Sequence, residues 1–477
     1  MSMSWGSASN SYTNDARYVD DFMWNYPDSL ILHAAGNSGE SNSFARYDTL
    51  SVSILVACVV SHFFCVYSVP NSVGSPATNK NGVAVGASSN DERSWNFQGV
   101  VNADGTKYNK DSLAGFSSRG PTSDGRVKPD VCAVGWDVQA PLHDVTLTAT
   151  DHCAVEPISG TSFACPLLAG TAVLIEEYFI DGWYGRGIKN GSEGFIPSGA
   201  LLKAMLVHGA QPLLQVQMSN KNTHETEWLD NNQGFGRAQI DMSTSFNTNA
   251  TRDGLTQFVL GASDPSSEHY VAMTSCATHT YDFTVVNTAD LPEGQDAPST
   301  IYATLAWTDY PSTVGSSNVL VNDLDIRIYD SIGTNHDAVR VSDRKNNLEM
   351  VKLENPVAGR AYTVEVKCVS LSYAQPYALV LTGENGKVDV PIEDELDLGL
   401  SQLAITAIAV MSGITCCLTV CVYWIAYGSS KRKAAVREAN SKYAVQLAEQ
   451  KEKNAERKKA RMDRQRRKNQ GIVMTKV

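Results

Sequence analysis

Residues 159–170 read Ser-Gly-Thr-Ser-Phe-Ala-Cys-Pro-Leu-Leu-Ala-Gly, and an apolar run continues from there to Ile175. This pattern predicts a tight turn that leads into a buried helix, with Ser162 in the first helical turn. Unpaired backbone N–H groups and the positive end of the helix dipole meet at that position. Because such donors can stabilise an oxyanion, Ser162 is a candidate nucleophile for acyl transfer. For Gly-Thr-Ser taken alone, a helix N-cap is the alternative.

The residues before this stretch predict an α/β fold. Met1–Gly6 resembles the end of a strand, Asp15–Tyr26 a helix, and Ser29–Ala35 a continuous buried strand that ends in the turn Gly36–Gly39. Three aromatic residues recur four apart on one face of that helix: Tyr18, Phe22 and Tyr26. Strand–helix–strand order with apolar strands predicts a parallel sheet with helices on both faces. Ligands bind at the carboxyl ends of such strands, where Asn37 lies.

Four motifs together resemble the subtilisin-like serine proteases, or subtilases: Ser159–Gly170, Ala34–Gly39, Phe116–Pro121 and Val127–Val131. The resemblance implies a subtilisin-like catalytic domain over residues 1–245. It also implies that Ser162 is the catalytic nucleophile and that Asn37 is the side-chain donor of the oxyanion hole, beside the backbone N–H of Ser162. For Asn37 alone, a turn former between two glycines is the alternative.

The same resemblance predicts the substrate-binding residues. Ser4, Trp5 and Gly6 match the strand that lines the cleft, and their backbone is expected to pair with an extended peptide. Ala35 and Gly36 are also expected to bind the substrate, and Gly74 is expected to line the primary specificity pocket. Proteins or peptides are therefore the expected substrates.

A serine nucleophile needs a base and a carboxylate that orients the base. In subtilases the Asp-x-Gly and His-Gly-Thr motifs precede the oxyanion Asn, and neither occurs ahead of Asn37. His33 lies inside the predicted strand. We therefore expect residues 1–245 to be a partial domain whose Asp and His lie in missing upstream sequence, and the chain as written to be nearly inactive. The alternative is a non-catalytic pseudo-protease that acts as a cell-surface binding protein.

An apolar segment of about residues 45–71 interrupts the resemblance. Leu50–Val69 contains no Asp, Glu, Lys or Arg. A membrane span here would place Asn37 and Ser162 on opposite sides of a bilayer, so they could not share one oxyanion. The segment is expected to be a gene-model error such as a translated intron, or alternatively a genuine insertion.

From residue 256 to 385, short alternating strands separated by turn residues predict an antiparallel β-sandwich of jelly-roll type. Its motifs resemble the sandwich that follows the catalytic domain in one branch of subtilases. Four oxygen-bearing side chains could bind calcium, with turn formation as the alternative role for each: Asp309, Asn322, Asp323 and Asp325. No cofactor is required for the expected chemistry.

Residues 398–427 carry no charge and are long enough to cross a bilayer, which needs about 20 apolar residues. Residues 431–477 contain 16 Lys+Arg and 5 Asp+Glu, a net of +11 that leaves −23 for the first 430 residues. This asymmetry argues against nucleic-acid binding by the body. It predicts a single-pass membrane protein with an extracellular or lumenal body and a basic, helical, cytosolic tail over residues 428–477. Met1–Gly6 has no signal-peptide character, which favours a missing N-terminal segment.

The cysteines and two N-glycosylation patterns are relevant to the cellular compartment of the body. Five cysteines lie in the body outside the apolar segments, and their pairing cannot be deduced from the sequence: Cys132, Cys153, Cys165, Cys276 and Cys368. Cys165 is expected to be a buried small apolar residue. Asn190-Gly191-Ser192 and Asn249-Ala250-Thr251 are N-glycosylation patterns that have meaning if the body is exported.

Overall fold

A computed structural model describes residues 1–41, 67–90, 110–141, 155–184, 187–217, 223–244, 257–285, 300–338, 343–384 and 388–389. The predicted membrane span (398–427) and basic tail (428–477) lie outside the described residues. So does most of the apolar segment predicted at 45–71.

The N-terminal half is built on a mixed sheet. Its strands are β1 (Ser2–Met3), β2 (Leu32–Ala34), β3 (Glu40–Ser41), β4 (Tyr67–Ser68), β5 (Val83–Ser88), β6 (Ser112–Ala114), β7 (Val131–Val134), β8 (Val138–Pro141), β9 (Val155–Ile158), β10 (Gln215–Gln217) and β11 (Thr223–Glu225). Seven of the described strands form one sheet in the order β1-β2-β5-β6-β10-β11, with β7 also paired to β5. Strands β1, β2, β5 and β7 are parallel, as the sequence predicts.

Three α-helices accompany this sheet: α1 (Asn14–Asn25), α2 (Thr161–Ile180) and α3 (Gly199–His208). A short 3-10 helix covers Ile240–Met242. All three α-helices contribute to one core cluster with Val83, Val85 and Ala87 of β5. The intervening Ala84 faces the other side, where it packs with Ala35 and loop residues. In the described part of the chain, the expected coverage by helices on both faces is therefore not seen, because loops cover the second face.

The aromatic stripe of α1 faces solvent. Tyr18, Phe22 and Tyr26 are 63%, 44% and 41% exposed, whereas Val19 and Met23 are buried. The helix is positioned by its N-cap Thr13, which accepts from the Ala16 N–H, and by the smaller apolar residues of the opposite face.

The second half consists of strands: β12 (Gln257–Leu260), β13 (Ala272–Met273), β14 (Thr278–Val285), β15 (Thr300–Trp307), β16 (Asp323–Asp330), β17 (Asn335–Asp337), β18 (Leu348–Glu354), β19 (Ala361–Ser370), β20 (Gln375–Glu384) and β21 (Val388–Asp389). They form two five-stranded antiparallel sheets, one with the path β12-β20-β15-β18 plus β13, the other β17-β16-β19-β14-β21. Inward residues of both sheets share one core that includes Phe283, Trp307 and Ile326. The predicted strands are all present.

A disulfide connects two neighbouring strands, β14 and β19, of one of these sheets. Cys276, just before β14, is bonded to Cys368 of β19, 92 residues away. Closing a loop of this length stabilises the fold by about 4–5 kcal/mol in the chain-entropy picture. Cys132 and Cys165 are free and buried, so the expectation that Cys165 is a buried small residue is confirmed.

Helix α3 joins the two halves. It packs against β15 and β20, and every one of its residues is buried. The sequence of Pro197–Leu206 predicts a capped amphipathic helix, and the amphipathic part of this prediction is wrong, because α2 covers one side of α3 and the strands cover the other. The core around α2 continues through α3 to Ala306 and Val380. Met1–Val390 accordingly forms one compact unit rather than two separable ones.

Fully buried polar groups complete this junction. Lys80 Nζ donates to Asp309 Oδ2 at 2.5 Å and to the carbonyl oxygens of Tyr310 and Val319 at 2.6 and 2.8 Å. Asn81 and Asp309 exchange two hydrogen bonds of 2.8 Å each. All three donors of the Lys80 ammonium are thus satisfied by the sandwich, and burial raises the pKa of Asp309 while the Lys80 charge opposes that rise.

The described residues on either side of the apolar segment pair with each other. Ser41 pairs with Tyr67 in the antiparallel β3–β4 ladder. The N–H groups of Val69, Asn71, Ser72 and Val73 donate to Gly39, Gly120 and Arg119. Residues 67–71 therefore belong to the fold, although the predicted segment includes them, and the rest of that segment lies outside the described residues.

Lys80→Met should destabilise the protein strongly, because it leaves the Asp309 carboxylate buried without a partner. We expect a loss of about 3–5 kcal/mol in the free energy of unfolding, measured by urea denaturation. Lys189→Met is the matched control, since its ion pair with Asp181 is exposed and should contribute less than about 1 kcal/mol. Equal small losses in both variants would contradict the role of the buried pair.

His208 predicts a pH dependence of stability. Its ring nitrogens bond the hydroxyls of Thr304 and Thr382, and burial lowers its pKa from 6.5 to about 3. Below pH 6.5 the His208 ring is protonated in the unfolded chain but stays neutral in the folded chain. Stability should therefore fall as pH drops from about 6.5 towards 3, at up to about 1.4 kcal/mol per pH unit. In His208→Gln the slope of unfolding free energy against pH should be shallower by that amount; an unchanged slope would refute the assignment.

Candidate active site

The strand–turn–helix around Ser162 places its hydroxyl at the surface. β9 ends at Ile158, Gly160 is the N-cap of α2, and the helix begins at Thr161 without a side-chain cap. Ser162 is therefore not the N-cap, and that alternative is excluded. Its Oγ has one hydrogen bond among the described residues, a long one of 3.5 Å to the Ser4 carbonyl oxygen. Its backbone N–H donates to no described residue, as expected in a first helical turn.

Asn37 lies in the turn after β2, and its amide is held in one orientation. Its Oδ1 accepts from both the backbone N–H and the hydroxyl of Thr161, each at 2.9 Å. The Thr161 hydroxyl in turn accepts from the Gly36 N–H at 3.2 Å. Because the oxygen is occupied by Thr161, the Nδ2 donor is directed away from that residue, and it lies beside Gly160.

The turn itself needs glycine at residue 36. Gly36 has φ +112°, and a Cβ there would lie 2.8 Å from the Ser118 hydroxyl. That hydroxyl accepts from the Ser38 N–H at 3.0 Å, and the Ser118 N–H donates to the Gly36 carbonyl at 2.9 Å. The Phe116–Pro121 motif thus stabilises the Asn37 turn through the two hydrogen bonds of Ser118. Roles for Thr161 and Ser118 could not be predicted from the sequence, although both residues lie inside the quoted motifs.

The predicted substrate residues form two neighbouring walls. Ser4, Trp5 and Gly6 are exposed, and their backbone N–H groups donate to no described residue. On the other wall the Gly74 N–H donates to the Ala35 carbonyl at 3.2 Å. A Cβ on Gly74 would lie 2.0 Å from the Ser7 carbonyl oxygen, so only glycine fits between the walls. The Ser4 hydroxyl donates to the Ser162 carbonyl at 2.9 Å and connects the first wall to the nucleophile turn.

His33 faces away from Ser162. Its Nδ1 lies 3.3 Å from the Asn79 amide, and burial lowers its pKa from 6.5 to about 4. The Asp137 carboxylate is bonded to the same turn, but to a different serine. It accepts from the Ser159 hydroxyl at 2.7 Å and not from the Ser162 hydroxyl. Within the described ranges, neither an imidazole nor a carboxylate is bonded to the Ser162 hydroxyl.

The predicted calcium ligands are engaged elsewhere. Asp309 is bonded to Lys80 and to two backbone N–H groups, and Asn322 Oδ1 accepts from the Ser372 and Tyr373 N–H groups. Asp323 and Asp325 face the Arg344 guanidinium. Among the described residues there is no group of three His, Cys, Asp or Glu side chains arranged for a metal ion. Calcium binding stays a prediction.

One helix of the described residues is long and apolar enough to cross a membrane, and it is α2. Its length and composition alone satisfy that criterion. It packs against β2, β5 and β7 through Leu168, Ala172 and Ile175, which are buried. This packing is that of a core helix.

Comparison with known proteins adds the family. Residues 1–236 match the model of the Subtilase family. The chain is 26% identical over 469 residues to the serine protease/ABC transporter B family protein tagD of Dictyostelium discoideum, covering 81% of this chain and 25% of that protein. It is 26% identical over 456 residues to tagB of the same organism, covering 81% and 24%. The chain thus spans about a quarter of the length of these relatives.

Among solved structures, the Yersinia pseudotuberculosis-derived mitogen is similar over 28% of this chain and 89% of its own, with 14% identity and a TM-score of 0.17. That score is too low to support a statement about the fold. The family model and the two relatives agree with the motifs and with the parallel sheet. Residues 1–236 of this chain therefore form a domain of the subtilase family.

Proposed function

We propose that the protein is a serine endopeptidase that hydrolyses peptide bonds through Ser162. The observation that carries the proposal is the fixed amide of Asn37, whose Oδ1 is held by Thr161 next to the nucleophile turn. This arrangement presents two N–H donors, Asn37 Nδ2 and the Ser162 backbone N–H, at the positive end of α2. Preorganised donors of this kind stabilise the oxyanion of acyl transfer.

The proposed reaction uses the two walls described above. An extended peptide pairs with the unpaired backbone of Ser4–Gly6, and Gly74 closes the pocket for the residue before the scissile bond. The Ser162 Oγ attacks the carbonyl carbon, and the oxyanion accepts from Asn37 and from the Ser162 N–H. The base takes the Ser162 proton and passes it to the peptide nitrogen as the intermediate collapses, so that the C–N bond breaks and the amine leaves. Water then attacks the acyl-enzyme, which releases the carboxylic acid and restores the Ser162 hydroxyl. This chemistry needs no cofactor, and its substrates are proteins or peptides rather than nucleic acids.

The base and its orienting carboxylate are proposed to come from residues outside the printed sequence. The outward face of α2 is apolar and exposed in the described part of the chain: Leu167, Val173, Leu174 and Ile180 are 48%, 59%, 55% and 46% exposed. Among the described strands, β1 beside it pairs with β2 alone. A segment that added a strand to β1 and covered this face could bring an imidazole to the Ser162 hydroxyl.

The body is proposed to be extracellular or lumenal, anchored by residues 398–427 with residues 428–477 in the cytosol. The disulfide between Cys276 and Cys368 supports this location, because stable disulfides form in oxidising compartments. The acidic body and basic tail support the same orientation.

A pseudo-protease that binds proteins without cleaving them is the second candidate. The observation that favours it is the absence, among the described residues, of any imidazole bonded to the Ser162 hydroxyl. Under this proposal the cleft between Ser4–Gly6 and Gly74 would hold a peptide without cleaving it.

Fluorophosphonate labelling distinguishes the two candidates. The gene product that includes sequence upstream of Met1 should be labelled, and Ser162→Ala should abolish the label because the attacking oxygen is gone. Asn37→Ala should slow peptide turnover by about 100- to 1000-fold, a magnitude typical of this family rather than one that the geometry yields. Residues 1–477 alone should label far more slowly.

The control is Ser266→Ala, which removes an exposed serine of the sandwich and should leave labelling unchanged. Failure of the folded, extended product to react would overturn the endopeptidase proposal and favour the binding protein.

A further inference from the structure

We propose that Asn190 carries an N-linked glycan. Asn190-Gly191-Ser192 has the acceptor form Asn-x-Ser with x other than proline. The other acceptor pattern, at Asn249, lies outside the described residues. This inference rests on the extracytosolic location in the proposed function and is independent of the catalytic part.

The acceptor lies in an ordered turn at the surface. The loop between α2 and α3 is tied down by the Asn190 N–H, which donates to the Gly182 carbonyl at 3.0 Å, and by the Glu193 N–H, which donates to the Asn190 carbonyl at 3.0 Å. Gly191 and Ser192 are exposed, and a Cβ on Gly191 would meet no atom within 4 Å. The folded protein therefore has room for a bulky substituent at this turn.

The side chain presents the atom that receives a glycan. Both the backbone N–H and the hydroxyl of Ser192 donate to Asn190 Oδ1, at 3.3 and 2.8 Å. These bonds fix the amide oxygen against the loop and leave Nδ2 without an acceptor among the described residues. The acceptor sequence itself requires a hydroxyl at residue 192, and Ser192 supplies it.

The disulfide is an independent observation on the compartment. Cys276–Cys368 indicates that the body folds where thiols are oxidised. In eukaryotes, oligosaccharide transfer to asparagine takes place in that same compartment. An exposed acceptor and a disulfide in one folded unit therefore support each other.

The donor is an oligosaccharide on a polyprenyl diphosphate. A bond forms between Nδ2 of Asn190 and the anomeric carbon of the first sugar. The bond from that carbon to the diphosphate oxygen breaks, and the lipid diphosphate leaves with the electron pair. One Nδ2 proton passes to a base of the transferase.

A glycan at this position leaves the cleft open. Asn190 follows the carboxyl end of α2, while Ser162 lies in the first turn. A helix of 20 residues is about 30 Å long, so the glycan stands at the far end of α2 from the nucleophile. It stands beside Ile180 and Ile188, which are 46% and 56% exposed, and would shield this apolar edge from other proteins.

The test uses the protein from its own cells. It is treated with peptide N-glycosidase in heavy-oxygen water and then with trypsin, which releases residues 190–203. We expect residue 190 as heavy-oxygen aspartate. A parallel sample without the glycosidase corrects for spontaneous deamidation, to which Asn-Gly sequences are prone. Recovery of this peptide solely as unmodified asparagine would overturn the inference.

A second measurement tests the acceptor sequence separately from the location of the protein in its own cells. The full chain, behind a cleavable leader, is translated with endoplasmic reticulum microsomes. Asn190→Gln and Ser192→Ala should each lose one glycan, and Ser192→Thr should retain it. Transfer occurs during translation, so a folding defect does not hide the result. An acceptor used in microsomes but unmodified in cells would overturn the location, while the Ser162 labelling would remain a separate result.

Discussion

Thr161 holds the candidate site together. Its hydroxyl donates to Asn37 and accepts from Gly36, and its backbone N–H donates to the same Asn37 oxygen. These three bonds connect the carboxyl end of β2 to the amino end of α2, two elements 124 residues apart in the chain. Without them the amide of Asn37 could turn, and its oxygen rather than its nitrogen could face a substrate carbonyl. The sheet positions the two ends, but Thr161 decides which atom is presented.

The sandwich supports this sheet through charge as well as through apolar packing. Lys80 lies in the loop that leads into β5, and its ammonium is neutralised and fully bonded by Asp309 and two carbonyl groups of the sandwich. A buried ion pair of this kind adds little net stability compared with an apolar contact, but a single uncompensated charge is costly. The arrangement therefore penalises every other way of docking the two halves. The docking of the two halves determines where α3 lies between α2 and the strands. Because α3 packs against α2, it also determines where α2 lies.

Several parts of the fold could be predicted from the sequence because they depend on local pattern. The parallel strands, the helix after Ser162 and the sandwich strands all follow from apolar runs and turn residues. The buried face of α1 could not be predicted, because it depends on which side of the helix meets the core, and there Val19 and Met23 are buried while the larger Tyr18 and Phe22 are exposed. The full burial of α3 depends on strands more than 90 residues later in the chain. Pairing of Cys276 with Cys368 depends on the register of β14 against β19, which no local pattern encodes.

Helix α2 shows most clearly that composition alone cannot distinguish a core helix from a membrane span. The helix is apolar on all sides, so it has the composition of a membrane span. Its packing against β2, β5 and β7 shows that one face belongs to a core, while Leu167, Val173 and Leu174 on the other face meet solvent. Burying side chains of this size stabilises a complex by about 1.5–3 kcal/mol each. A segment that docked here would therefore bind to the exposed face of α2, the helix whose first turn contains Ser162. Within the described residues, the exposed apolar face of α2 and the Ser162 hydroxyl, to which no imidazole is bonded, lie along the same helix, so one element that docked on this face would lie beside both.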